Sequence, residues 1–448
     1  MNKKKKILSI GVVTVLLAGL AGCSVDTGNA SANTESKESS SSKNGKLTIM
    51  LSAGDSGATG VKTAFDKAAE IMGISLEYST FPDDQFLNVL NTKGATGNLD
   101  DVIYSTANLP DIPYKELAAL DGEWIEQMSD TTMPFIVNPD EGNDDILLAP
   151  IGAESNYGLA YNKKVLDKAG VEVPIMNYAD FTAACEKIKA AGVTPVYLSN
   201  KEVWTAQILL QASFTGVLEN QEGLVEKLVT NQVKPQDVPE IEELWQNVAD
   251  LKKNGFINED CLSATHEMGK RALANGEAAF YAVTDSVYGE IENEFPELIG
   301  DLGMTICPMW SDEKDAYVTR SSSSKRLSVN KNSENLDLAK EFVNTCMTEP
   351  VLKVFYEVQP GIAPFKDLGY ELHMSEWNKE MEALAETIPV KADWGNQIYD
   401  GELKFREFWG DFTLRGQSLF ADVPVKDVLE QWYTSYAESA KAKRLEGF

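Results

Sequence analysis

Only two histidines, His266 and His373, are available in the 448 residues to act as general bases or metal ligands. His266-Glu267 opens like the zinc-protease helix H-E-x-x-H, but Lys270 stands where the second imidazole must be, so two imidazoles cannot share one helix face. No G-x-S-x-G elbow presents a serine nucleophile. The glycine-rich run Gly54 to Gly60 leads into a helix, yet Val61-Lys62 follows it where a phosphate loop needs G-K-[ST]. Carboxylates gather between Asn138 and Asp145, but their spacing does not match the calcium loop D-x-[DN]-x-[DN]-G-x5-E and reads as an exposed turn. Carboxylates are numerous enough for two to face each other as in a glycosidase, although no pair is marked. The expectation is therefore no enzyme, no cofactor and no metal. The chemistry the chain can supply is recognition. Its eight tryptophans and fifteen tyrosines offer planar faces for the C–H surfaces of sugar rings, and its polar side chains can satisfy hydroxyls, while any one ring taken singly is more often core or surface filling.

The elements that must position such groups follow a β-α pattern. Lys46 to Leu51 reads as a strand, Gly54 to Gly60 as a turn, and Val61, Ala64, Phe65, Ala68, Ile71 and Met72 recur with helical period. Gly73 stops that helix and Ile74 to Tyr78 alternate as a second strand. A helix from Asp83 to Asn91 and a buried strand from Asp101 to Tyr104 complete a parallel sheet wrapped by helices. Phe135 to Val137 and Ile146 to Leu148 read as a hairpin, Val193 to Tyr197 as a further strand, and the C-terminal part as mainly helical, with aromatic residues dense between Trp394 and Trp432. Cys185 lies on the stripe Phe181, Ala184, Cys185, Ile188, and Cys346 on Ala339, Phe342, Val343, Cys346, so both are expected in cores. With Cys261 and Cys307 they are too few and too scattered for a disulfide framework.

The N-terminus has a different task. Lys3 to Lys6 run into the uncharged apolar stretch Ile7 to Gly22, so residues 1–22 read as a secretion signal. Leu20-Ala21-Gly22-Cys23 resembles the lipobox of bacterial lipoproteins, which implies acylation of Cys23 and a membrane anchor. Residues 23–45, rich in Ser, Asn, Thr and Glu, form the expected tether, as suits a lipoprotein on a Gram-positive cell surface. Without the four signal lysines the 40 basic residues fall to 36 against 69 acidic ones, a net charge near −33. That sign argues against nucleic acid as a partner and against unassisted binding to anionic lipid.

The string APIGAESNYGLAYNKKVLDKAGVEVP from Ala149 closely resembles the family-1 extracellular solute-binding proteins of ABC importers, the group that includes maltose-binding protein. FTAACEKIKAAGVTP, LANGEAAF and SVNKNSENLDLAKEFVNTCMTEP are similar to the family's later segments, in order. The resemblance implies a periplasmic-binding-protein-like α/β fold, two lobes joined by hinge strands with a ligand cleft between them. It places the lobes at 46–153 plus 308–326 and at 154–307 plus 327–448, and the hinges near Ala153 to Tyr157, Met304 to Pro308 and Lys325 to Val329. It further implies a monomer that captures an oligosaccharide by hinge closure and delivers it to permease subunits.

Carried over position by position, the family's ligand contacts fall on Asp55 in the glycine turn, on Tyr104 and Asn108, on Glu154, Ser155 and Tyr157 at the first hinge, and on Trp204 and Trp409 as stacking rings, with Trp394 a further candidate in the same aromatic-rich region as Trp409. After GEAAF the family continues to Gly-x-Trp, whereas this chain has Thr284-Asp285-Ser286, so either the ring geometry differs or Asp285 binds a hydroxyl or an amine. Two alternatives stay open. Asp55, Glu154 and Asp285 could neutralise a polyamine, and a surface glycan hydrolase would need two carboxylates across the cleft.

Overall fold

The computed structural model describes residues 45–57, 59–140, 142–310, 316–395, 408 and 411–448. Cys23, the signal and residues 24–44 of the tether lie outside the described residues, as does Trp409. Among the described residues no helix is long and apolar enough to cross a membrane.

The strands are β1 (Lys46–Ser52), β2 (Ser75–Phe81), β3 (Val102–Ser105), β4 (Ala149–Pro150), β5 (Ser155–Asn162), β6 (Thr194–Tyr197), β7 (Ala278–Thr284), β8 (Leu302–Thr305), β9 (Val318–Ser321), β10 (Arg326–Val329) and β11 (Val390–Ala392). They form two sheets. The first runs β2-β1-β3-β10-β4, and the second runs β11-β9-β5-β7-β6 with β8 also paired to β5. β1 sits between two parallel neighbours, and Leu47, Ile49, Met50 and Leu51 on both of its faces are buried. β2, at the sheet edge, instead alternates between exposed and half-buried residues.

Helices Thr59–Met72, Leu336–Cys346 and Glu349–Val358 bury Phe65, Phe342, Cys346 and Phe355 in the core of the first sheet. A larger core, holding Cys185, Trp245, Trp394 and Trp432, covers one face of the second sheet, and a third cluster around Tyr281, Tyr288 and Trp377 forms separately beside the same sheet. All four described cysteines are buried and free, and burial pushes the Cys185 and Cys346 thiols up.

Local chemistry explains the best-defined junction. β5 ends at Asn162, whose side-chain oxygen accepts the Val165 N–H and starts the helix Lys163–Ala169, and Gly170 closes it with a positive φ of 64°. A Cβ at Gly158 would overlap the Thr305 carbonyl, so glycine lets β5 and β8 approach.

Four expectations are corrected. Gly54 to Gly60 is not an open turn: Ala53–Gly57 forms a short helix before Thr59–Met72, because Asp83 accepts the Gly54 N–H and Ser52 Oγ accepts the Asp55 N–H. Phe135 to Val137 and Ile146 to Leu148 meet in one antiparallel bridge, Val137 to Ile146, rather than in a ladder. The lobe boundaries also shift. β9, assigned by resemblance to the first lobe, pairs with β5 and β11 in the second sheet, whereas β10 and the two helices after it belong to the first. Leu327 and Val329 pair with Tyr104 and Val102, and that apolar match holds β10 between β3 and β4.

The chain consequently crosses between the sheets at 151–154, at 322–325 and at 359–375. The crossing expected near Met304 to Pro308 is not one, since β8 pairs with β5 inside the second sheet.

Candidate ligand-binding site

In open α/β sheets, ligands bind at the carboxyl edges of the strands. Here both such edges adjoin the crossings. β10 begins at Arg326 opposite Ser105, the last residue of β3, so the 322–325 crossing enters at the carboxyl edge of the first sheet. Tyr157, near the start of β5, lies opposite Thr284, the last residue of β7, so the 151–154 crossing enters at the carboxyl edge of the second. β6 runs parallel to β7 and delivers Trp204 at that same edge.

On the first lobe, Asp55 is nearly buried and pairs with Lys325 Nζ at 2.5 Å, while Ser52 Oγ–H donates to its other oxygen at 3.2 Å. Asn108, half-buried, accepts from Arg326 Nη1 at 3.2 Å. These two predicted residues do come together with a hinge crossing. Arg326 itself is 2% exposed; its Nε donates to the Ser323 carbonyl, its guanidinium lies over the Phe135 ring, and burial lowers its pKa to about 10. Neither Lys325 nor Arg326 is among the contacts expected from the resemblance, which puts a hinge at Lys325 to Val329. The run Arg320-Ser-Ser-Ser-Ser-Lys325-Arg326, with its cations and hydroxyls in a strongly acidic chain, is the signal that marks them.

On the second lobe, Trp204 is 43% exposed, whereas Trp124, Trp245, Trp377, Trp394 and Trp432 are all buried. Its ring lies 5.1 Å from that of His266 at an interplanar angle of 62°. Thr284 and Ser286, which replace the expected aromatic, share a hydroxyl contact of 2.7 Å at an exposed position.

Several expected contacts are absorbed by the structure. Tyr104 is fully buried against Phe65, its hydroxyl has no hydrogen-bond partner among the described residues, and desolvation raises its pKa. Trp394 lies in the aromatic core against Phe214 and Phe412 and donates to Gln211 Oε1 at 3.0 Å, so it cannot stack on a ligand. Asp285 is 2% exposed and accepts the Asn156 N–H at 3.0 Å and the Asn156 and Asn378 amides at 2.8 Å each. Burial, opposed by these hydrogen bonds, pushes its carboxyl up to about 6. Glu154 is buried and accepts hydroxyls from Ser129 and Thr132; desolvation raises its pKa against those bonds. Ser155 is half-buried and its carbonyl accepts the Ser321 hydroxyl at 3.2 Å. Tyr157 is half-buried beside Gln211, with its phenol pushed up by desolvation. Of the three carboxylates of the polyamine alternative, Glu154 and Asp285 are buried on donors within the protein, while Asp55 is paired with Lys325 through one oxygen. Among the described residues no group of His, Cys, Asp or Glu is arranged to hold a metal ion.

Two sheets joined by three crossing segments, with the candidate groups at the carboxyl edges where two of the crossings enter, define a protein of the two-lobed, periplasmic-binding-protein-like α/β class. The chain belongs to the bacterial extracellular solute-binding protein family, whose model matches residues 62–383. It is similar to a binding protein of Brucella abortus, 26% identical over 244 residues, and the match spans 53% of this chain and 56% of that relative. Among solved structures it is similar to a binding protein of Bacillus subtilis in an open conformation, with a TM-score of 0.70, 18% identity and coverage of 90% of this chain and 99% of the other. It is also similar to a sugar transporter protein of Bacillus licheniformis in complex with stachyose, with a TM-score of 0.66, 19% identity and coverage of 88% and 99%.

Proposed function

We propose that this protein is the lipid-anchored substrate-binding subunit of an ABC importer and that its solute is an oligosaccharide. The observation that carries the reading is Trp204. Its large apolar face is left in solvent at the carboxyl edge of the second sheet, in a chain that buries five other tryptophans, and an exposed indole at such an edge suits a sugar ring. Asp55 and Asn108 on the first lobe, with the Thr284 and Ser286 hydroxyls on the second, supply polar partners for sugar hydroxyls. Closure about the crossings lets one ligand touch both lobes and so favours the closed state that a permease recognises. The solute is carried unchanged, and the likeness to a stachyose complex supports the sugar class. Cys23, acylated, would hold the protein on the outer face of the cell membrane through its 23–45 tether.

Thermal-shift screening tests the solute class. A saccharide at 100 times its dissociation constant is expected to add about 2.7 kcal/mol of stability. A shift with spermidine and with no saccharide overturns the sugar reading, and release of smaller sugars from a bound glycan overturns the carrier reading. Incorporation of labelled palmitate into the wild-type protein and not into Cys23→Ser tests the anchor.

A further inference from the structure

We infer that His266 is the positioning residue that fixes the orientation of the Trp204 ring, a role that rests on reading Trp204 as the stacking face for sugar. His266 opens the helix His266–Ala274, and both of its ring nitrogens are held. Nε2 lies 3.2 Å from Glu290 Oε2, and Nδ1 lies 2.6 Å from the Tyr281 hydroxyl. A carboxylate only accepts, so Nε2 carries the proton toward Glu290 and Nδ1 of the neutral ring accepts from Tyr281. The Tyr281 oxygen in turn accepts the Ser199 hydroxyl at 2.8 Å. The plane of the imidazole is thus set from both sides.

The same residue anchors the other side of the contact. The Ser199 carbonyl accepts the Thr205 hydroxyl at 2.5 Å, which pins the turn Val203–Gln207 that carries Trp204. The His266 N–H donates to Glu202 Oε2 at 2.9 Å, tying the helix start to the residue before that turn. Ring and imidazole therefore meet across two segments fixed to Ser199. The charged groups around the imidazole are Glu202 on the loop, Glu267 and Lys270 on its own helix, and Glu290 and Glu294 on the helix Tyr288–Glu294. Lys270 bridges the three last-named glutamates, Glu267, Glu290 and Glu294, so Glu290 is itself held in place. A stacking face held this way meets a sugar ring without first losing rotamer freedom, which raises affinity through preorganisation.

The test uses the full protein labelled with 5-fluorotryptophan, the Trp204 resonance being assigned with Trp204→Phe. In the unliganded protein His266→Ala is expected to shift and broaden that resonance, while His266→Gln, which can keep both hydrogen bonds, moves it less. An unchanged resonance in both variants overturns the proposal. With stachyose as the probe, His266→Ala is expected to weaken binding by about three- to tenfold in the wild-type background and by less than about twofold in a Trp204→Ala background. Equal losses in the two backgrounds mean that His266 acts on something other than Trp204 and overturn the proposal. If stachyose and the wider saccharide panel give no binding heat, the sugar reading fails on its own and the fluorine resonance alone decides the role of His266.

Discussion

The Thr132 hydroxyl donates to Glu154 Oε1 at 2.8 Å while its oxygen accepts the Ser323 N–H at 3.0 Å, and all three residues are buried. One first-lobe side chain thereby joins the 151–154 crossing to the 322–325 crossing. Ser323 Oγ–H closes the link by donating to the Gly152 carbonyl at 2.7 Å, and the Glu154 N–H reaches the third crossing at the Ile362 carbonyl, 2.8 Å away. Glu154, expected at the first hinge and at the ligand, spends its carboxylate on the Ser129 and Thr132 hydroxyls at this crossing. Thr132→Val leaves the Ser323 N–H buried without an acceptor and is expected to cost about 1–3 kcal/mol in urea unfolding, with Thr132→Ser restoring most of it. An unchanged midpoint would show that the hinge does not depend on this hydroxyl.

Asp285 gives a pH signature. Its carboxyl is raised from 3.8 to about 6, so between those values the folded chain binds a proton that the unfolded chain does not. Its contribution to stability is present below about pH 4 and is lost as pH rises through about 6. Asp285→Asn is expected to flatten stability between pH 4 and 6. At pH 7 the variant should be less stable by about 1–3 kcal/mol, because an amide N–H₂ at either oxygen position then faces at least one of the N–H donors of Asn156 and Asn378. Unfolding at a series of pH values reads both effects.

Trp204 and Trp394, two of the three tryptophans expected at the ligand, should separate cleanly. Trp394→Ala opens the aromatic core and removes the donor to Gln211, at a cost of about 3–5 kcal/mol. Trp204→Ala, at an exposed position, should change stability by no more than about 0.5 kcal/mol and act on ligand affinity. Paired denaturation and binding curves check this, and a large stability loss in Trp204→Ala would count against its role at the ligand.

Asp55→Asn is expected to weaken saccharide binding by about tenfold, the scale of one hydrogen bond to a charged group. The loss of its pair with Lys325, whose side chain is 39% exposed, should cost less than about 1 kcal/mol of stability. If affinity is unchanged, the pair serves the hinge alone.

What the sequence revealed was local. Asn162 and Gly170, inside the string that carries the family resemblance, bracket a helix by local capping alone, and the spacing of Cys185 and Cys346 placed both in cores. The replacement of a ring by Thr284-Asp285-Ser286 was also visible, and two hydroxyl side chains do stand there. Long-range partners were not legible. Asp285 is taken from the ligand by Asn156 and Asn378, which are 129 and 93 residues away in sequence. Trp204 and Trp394 are both tryptophans in mixed surroundings, and only tertiary packing decides which one solvent reaches. The lobe boundary at Ser321 to Arg326 depended on strand pairing, which an apolar run of four residues does not announce.

The most direct measurement is titration calorimetry of an oligosaccharide panel that includes stachyose, against the wild-type protein and Trp204→Ala under the same conditions. The expected result is saturable binding of at least one saccharide by the wild type, weakened tenfold or more in a Trp204→Ala protein that keeps its melting temperature. Equal affinity in the two proteins, or saturable binding of spermidine with no saccharide bound, would contradict the central claim.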